Sequence, residues 1–238
     1  MSTIETIKAL NSLSKGINPT IIYNEGWMIR LLVIESMIQK LKIEGIDFEL
    51  LAKKKWSSEA LIKSPFVTAI INKEGYTHAD IILGDFEVNF ENRGEATLQK
   101  DNPKILGVIE AKMRSDLSQG TTNAKDYNQA SRSVCCLSYM TKDNPDCEIF
   151  FIVVAPKTKI NKIKNQIEQE NIITQIENRF KHSNVTLEKE LIQKQVAKCK
   201  ILPITYEEWI GKLQNNKEEV KDLLNEFYTK CLCRNKVK

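Results

Sequence analysis

The stretch GVIEAKM, residues 107 to 113, sets Glu110 and Lys112 two positions apart inside a run that otherwise reads as a buried strand. Strand side chains alternate faces, so Ile109, Ala111 and Met113 are expected in a core while Val108, Glu110 and Lys112 share the other face. Burying either charge alone is costly, so that face has to open onto solvent, a metal or a charged ligand. A second acid, Asp80, heads the apolar run in HADIILGD and shares a face with His78 and Ile82 by the same alternation. Two carboxylates on neighbouring strands make a site for a hard cation. Magnesium takes oxygen ligands, keeps several waters, and needs only one or two carboxylates beside a substrate phosphate. Lys112, one pleat along, is placed to hold or deprotonate a water, or to neutralise charge building on a phosphate. Asp85 is the competing aspartate, but Gly84-Asp85 reads as a turn whereas Asp80 stands inside the strand.

Other chemistries lack their raw materials. His78 and His182 are the only histidines and carry no HExxH or HxxxH spacing, which argues against a histidine-rich zinc hydrolase. There is no GxxxxGK[ST], no GxGxxG and no GxSxG, so a P-loop, a dinucleotide fingerprint and a nucleophile elbow are all missing. Six cysteines (Cys135, Cys136, Cys147, Cys199, Cys231 and Cys233) show no CxxC pair and are expected as buried small hydrophobes in a reducing compartment, with Cys231 and Cys233 in a frayed tail. A net charge of +4 permits nucleic acid as a partner without requiring it. The longest strongly apolar run, Ile149 to Ala155, is too short to span a bilayer, and the polar start has no signal-peptide core, so no membrane partner and a cytoplasmic location are expected.

The elements that must position these residues follow from hydrophobic pattern. With 42% hydrophobic and 28% charged residues, the 238-residue chain is expected to fold as one globular domain. Trp27 to Leu41 reads as a largely buried helix with Asn24 as N-cap. Gly45 to Lys63 reads as loop and short helix. Its run Lys53, Lys54 and Lys55 beside Trp56 is either a solvated face or a phosphate contact with an aromatic to stack on. Phe66 to Asn72 and Thr77 to Leu83 read as a hairpin, and Ile105 to Lys112 as a third strand. The polar stretch from Phe86 to Pro103 between them is long for a loop and can carry a strand extension ahead of one. Tyr127, Ala130, Val134 and Leu137 set helical spacing between Thr122 and Tyr139. Glu148 to Val154 is a buried strand. Lys157 to Phe180 resumes helical spacing, Lys200 to Ile204 is a last strand, and Thr205 with Glu208 forms a capping box ahead of two C-terminal helices. The order gives an α/β fold with a mixed central sheet flanked by helices.

These residues together resemble the PD-(D/E)XK nuclease superfamily, the restriction-endonuclease-like fold. Asp80 stands for its first acid, Glu110-Ala111-Lys112 for (D/E)xK, and the helix after the third strand for the helix that follows in the family's αβββαβ core. The resemblance covers about residues 24 to 155, with an α/β extension over 156 to 238. It implies a magnesium-dependent endonuclease, with manganese as a substitute, that cuts nucleic acid, most simply DNA, by attack of a metal-activated water. Asp80, Glu110 and the Ala111 carbonyl would hold the metal. Lys112, Gln129 in YNQASR and Glu25 in NEGWMIR would complete the catalytic set, and Lys53, Lys54, Lys55 and Arg132 would contact the nucleic acid. A homodimer would suit double-strand cutting. Alanine at position 79 departs from the proline that often precedes the first acid.

ExK alone carries little weight here, since Glu219-Val220-Lys221 matches it as well. Context separates the two, because only Glu110-Ala111-Lys112 follows an apolar strand run and precedes an amphipathic helix with a glutamine. Bland alternatives stay open for each residue. Glu110 and Lys112 can be an exposed ion pair, Glu25 can favour the positive end of a helix dipole, and Gln129 and Arg132 can be solvated. At the level of function, the alternatives are a catalytically inactive nucleic-acid-binding or assembly subunit of the same fold, an unrelated α/β scaffold, and a nuclease for RNA or for special DNA structures.

Overall fold

Ser2 and Glu5 close a capping box on α1 (Thr3–Leu13), a short turn α2 (Pro19–Ile22) follows, and Asn24 then starts the helix beneath the sheet. In the computed structural model, which describes residues 2–186, 188–214 and 218–234, the Asn24 side chain accepts a hydrogen bond from the Trp27 amide at 2.9 Å. That bond satisfies an otherwise unpaired first-turn donor. The helix α3 therefore spans Glu25–Ile38, starting before the expected Trp27 and ending before Leu41. A small hairpin, β1 (Lys42–Ile43) and β2 (Ile46–Asp47), leads into α4 (Phe48–Leu51), which Asp47 caps.

The main sheet has seven strands: β3 (Lys55–Lys63), β4 (Tyr76–Gly84), β5 (Phe86–Asn89), β6 (Glu95–Leu98), β7 (Ile105–Ala111), β8 (Glu148–Ala155) and β9 (Lys200–Thr205). Their spatial order is β5-β6-β3-β4-β7-β8-β9. β3, β4 and β7 form an antiparallel meander, while β7, β8 and β9 run parallel. The parallel steps are bridged by helices, as parallel pairing requires: α5 (Gln129–Thr141) precedes β8, and α6 (Lys157–Gln166), α7 (Gln169–Lys181) and α8 (Lys189–Lys198) precede β9. Then α9 (Tyr206–Gly211) and α10 (Glu218–Arg234) complete the described chain.

Alternation along the strands divides the interior into two cores. Ile109, Ala111 and Met113 pack with Phe150, Ile152 and Val154 against α1, α3, α4, α9 and α10. Val108 packs with Phe151 and Val153 against α5 to α8. The architecture is thus α/β with a mixed sheet between two helical layers, as the element order implies. Packing is close at Gly107, where a Cβ would run into the Phe150 ring. Among the described residues no helix is long and apolar enough to cross a membrane.

Several expected elements are corrected. FVTAIIN is not a strand. Ser64 accepts the Phe66 amide at 3.1 Å and Pro65 opens a 3-10 turn over Pro65–Thr68, which sends Phe66 against Tyr127 and Phe180 and leaves Ile70 and Ile71 exposed. The strand that pairs with β4 is β3, inside the segment read as loop and short helix. Its buried Ala60 and Ile62 alternate among lysines and serines that mask the period. The polar stretch after Phe86 carries the hairpin of β5 and β6 at the sheet edge. The helix expected from Thr122 starts at Gln129, because Asn128 caps it through the Ser131 amide at 2.8 Å; Tyr127 is buried from the preceding loop and only imitates a helical position. The span from Lys157 to Phe180 breaks into two helices at Ile167 and Glu168. The Thr205 and Glu208 capping box forms with both of its bonds. Cys231 is not in a frayed tail: it is buried in α10 and burial pushes its thiol up to about 12, while Cys233 is exposed.

Candidate active site

β4 and β7 pair from Gly84 opposite Leu106 to Ile81 opposite Ile109, and then part. At the parting, the Ala111 amide donates to the Asp80 carboxylate at 2.7 Å rather than to β4 backbone. On the other side of β4, the pairing with β3 passes from Ser58–Ile81 to Ala60–Ala79 and leaves out the pair between them, Glu59 and Asp80. Glu59 sits at φ 58°, in the left-handed region that a glutamate adopts at a cost. Asp80 is therefore freed from the regular ladder on both sides. Beyond the parting, β7 stays tied to its parallel neighbour, since the Lys112 amide donates to the Val154 carbonyl at 2.8 Å.

Glu110 projects from β7 toward α5 and is fully buried. Gln129 donates to its Oε2 at 2.9 Å and Ser133 to its Oε1 at 3.3 Å. The Lys112 ammonium, itself nearly buried, lies 3.8 Å from the same Oε2. Burial, then the negative charge of Asp80, pushes the Glu110 carboxyl up to about 8, against the pull of Lys112 and Ser133; hydrogen bonding to Asp80 adds to the rise. Near neutral pH a proton is thus held between two acids. Glu25, in the first turn of α3, accepts the Met113 amide at 2.6 Å. Burial raises its carboxyl too, offset by the Met113 amide and by Lys112, while Asp80 raises it further and Lys159 lowers it. The structure consequently brings Glu25, Asp80, Glu110, Lys112, Gln129 and the end of β7 at Ala111 to one place.

The remaining sequence candidates lie elsewhere. Lys55 pairs with Gly84 at the other end of β4. Lys55 is four residue steps along the strand from Glu59, which stands across from Asp80, a distance of about 13 Å. Lys53 is exposed, Lys54 is bound to buried Asp85 at 2.7 Å, and Lys55 lies 3.9 Å from Glu87. Asp85 also accepts the Lys104 and Ile105 amides at 2.9 and 3.2 Å, which explains its burial and makes it a structural aspartate. Arg132 donates to Ser118 at 3.1 Å and its Nε lies 4.0 Å from Glu74, so it braces the loop before α5 instead of facing the carboxylates. His78 is exposed.

Three neighbours escaped the sequence reading. Ser133 stands one turn beyond Gln129 on α5, a spacing that could have revealed it. Lys159 reaches the site from α6 after β8, and Tyr206 from α9 after β9. The Tyr206 phenol is buried and has no hydrogen-bond partner among the described residues; burial, with Glu25 and Asp80 nearby, holds its pKa well above the usual value. No short-range signal links either residue to Asp80.

The donor set suits a hard cation. Asp80 and Glu110 would offer carboxylate oxygens at one point, and the carboxyl proton that Glu110 retains is one that a cation can replace. Among the described residues no group of three or more His, Cys, Asp or Glu side chains is arranged to hold a metal, so an ion here would draw the rest of its shell from water and substrate. Comparison of the chain with models of known protein families, with curated proteins and with solved structures found no match.

Proposed function

We propose that the protein is a magnesium-dependent nuclease of the restriction-endonuclease-like fold that hydrolyses phosphodiester bonds, most simply in DNA. The observation that carries the reading is the meeting of Asp80 and Glu110 where β4 and β7 part, with Lys112 and Gln129 touching Glu110. The run of α3, β3, β4, β7, α5 and β8 also follows the αβββαβ order of that superfamily, with β5 and β6 as an insertion. The cleft lies at the C-terminal ends of β7 and β8, the end of a parallel sheet where ligands collect.

Asp80, Glu110 and the Ala111 carbonyl would hold magnesium, or manganese in its place. When bound, the ion supplies charge stabilisation at a phosphoryl oxygen and a more acidic water. Gln129 and Ser133 orient Glu110, and Gln129 has a second amide proton to offer. Lys112, nearly buried 3.8 Å from Glu110, is placed where an ammonium would offset charge developing on the phosphate. Glu25, fixed by the Met113 amide, lines the adjoining cleft.

Incubation of supercoiled plasmid with the protein and Mg²⁺ or Mn²⁺ tests the proposal. Relaxation or linearisation is expected, lost on chelation and reduced at least about 100-fold by Asp80→Ala and by Lys112→Ala. Cleavage that survives both substitutions refutes it. A second reading, an inactive member of the fold that binds nucleic acid, draws on the complete burial of Glu110, whose proton shared with Asp80 satisfies both acids without an ion. Binding without cleavage by the wild-type chain would select it.

A further inference from the structure

Two basic segments compete to hold the polymer that such a site would cut, and the fold separates them. Lys53–Lys55 lies at the end of β4 remote from Asp80, with its middle lysine already bound to Asp85. The other segment opens α6, directly after β8. We propose that Arg114, Lys159 and Lys162 form the rim on which the phosphate backbone of a nucleic-acid duplex lies as it enters the cleft. This inference rests on the nuclease reading and supplies its binding surface.

The first observation is a local rule broken. α6 begins Lys157-Thr158-Lys159 and has no acidic residue of its own in its first turn; Pro156 gives no side-chain cap, and a carboxylate from outside the helix, Glu207 of α9, accepts the Lys157 amide at 3.1 Å. Cations at a helix N-terminus oppose its dipole, and acids are the usual choice there. Such departures are expected where function outweighs stability. The second observation is position. Lys159 acts on the Glu25 carboxylate, and a cleft of about 400 Å³ beside Glu25 is lined by Asn24, Glu25, Arg114 and Ser115. The third is organisation. Lys159 donates to the Arg114 carbonyl and lies 3.8 Å from Asp116, which Lys162 also binds. One carboxylate thereby holds two lysines, three residues apart on one flank of α6, against the segment that follows Lys112. Three cations against two acids, Asp116 and Glu25, leave the rim one positive charge in excess. The Arg114 side chain is exposed and Lys162 is 69% exposed, so both are open to a polyanion.

Anisotropy of a fluorescent DNA duplex, measured with the full chain in EDTA across a salt series, tests the rim without any turnover. Arg114→Gln with Lys162→Gln is expected to weaken binding roughly tenfold at moderate salt and to flatten the log–log salt slope by about two, one for each lost phosphate contact. The charge-keeping pair Arg114→Lys with Lys162→Arg is expected to retain the slope, which separates lost charge from lost folding. Lys53→Gln with Lys55→Gln is expected to leave binding unchanged. The proposal is overturned if the Arg114 and Lys162 pair keeps the wild-type slope, if the Lys53 and Lys55 pair carries the loss, or if the wild-type chain binds no duplex. An RNA duplex that shows the same loss assigns the contacts to the backbone; a loss confined to DNA assigns them to that duplex. Cleavage of plasmid with Mg²⁺ is scored separately, so a chain that binds through this rim and never cuts refutes the nuclease reading and leaves the rim standing.

Discussion

Replacing Glu110 by glutamine should make the metal-free protein more stable at alkaline pH and leave it unchanged in acid. The Glu110 carboxyl has an ordinary value of 4.5 in the unfolded chain and is held at about 8 in the fold, chiefly by burial and then by Asp80. Between those values the folded state keeps a proton that the unfolded chain has released, so stability falls as pH rises across the window. The contribution is fully present below the unfolded value and lost as pH passes the folded one. At about 1.36 kcal/mol per pH unit, that gap amounts to roughly 5 kcal/mol as an upper bound. Glutamine keeps one oxygen as the acceptor for Gln129 and puts a permanent NH2 donor in place of the other, where the Ser133 hydroxyl can rotate to accept from it. Urea unfolding in EDTA is therefore expected to give equal stabilities within about 0.5 kcal/mol near pH 5 and an advantage of about 2 to 5 kcal/mol for Glu110→Gln near pH 8.5. Millimolar Mg²⁺ should raise the wild type at the higher pH by displacing the proton, and should raise the variant much less. Parallel pH profiles for the two proteins would refute the shared-proton account.

Gln129→Ala removes the donor that orients Glu110 and is expected to weaken Mg²⁺ activation about 10- to 100-fold, read from the metal dependence of plasmid cleavage, while the fold persists. Asp85→Ala strips buried partners from Lys54 and from two amides; it should cost about 3 kcal/mol in urea unfolding and leave cleavage per folded molecule intact, the reverse of Asp80→Ala. Gly107→Ala drives a methyl into the Phe150 ring and is expected to destabilise by about 1 to 3 kcal/mol; a neutral result would mean that Phe150 can swing aside.

Alternation of two along GVIEAKM and HADIILGD is enough to put Glu110, Lys112 and Asp80 on compatible faces, because a strand's geometry is set by its backbone and needs no distant information. Asn24 and Thr205 were equally legible, since a cap acts over three residues. β3 was not. Its interior positions alternate correctly, but Lys55, Ser57, Ser58 and Glu59 dilute the apolar signal until β4 and β6 cover both of its edges. FVTAIIN erred in the other direction: a β-branched run reads as strand, whereas Ser64 and Pro65 turn the chain first and Phe66 finds its partners on α7 and in the loop before α5. The release of Asp80 from the ladder depends on the left-handed backbone at Glu59 on the β3 side and on its carboxylate taking the Ala111 amide on the β7 side, and neither is encoded as a pattern. Lys159 belongs to the rim only because β8 delivers α6 beside α3.

The bond between Glu25 and the Met113 amide joins groups 88 positions apart in sequence. Closing a loop of that size costs about 4 kcal/mol of chain entropy, repaid only once α3 has docked on a sheet containing β7. During synthesis the N-terminal helices leave the ribosome long before residue 113. A nascent chain therefore emerges with its acids scattered, and the candidate site stays unassembled until β7 has been made and has paired with β4.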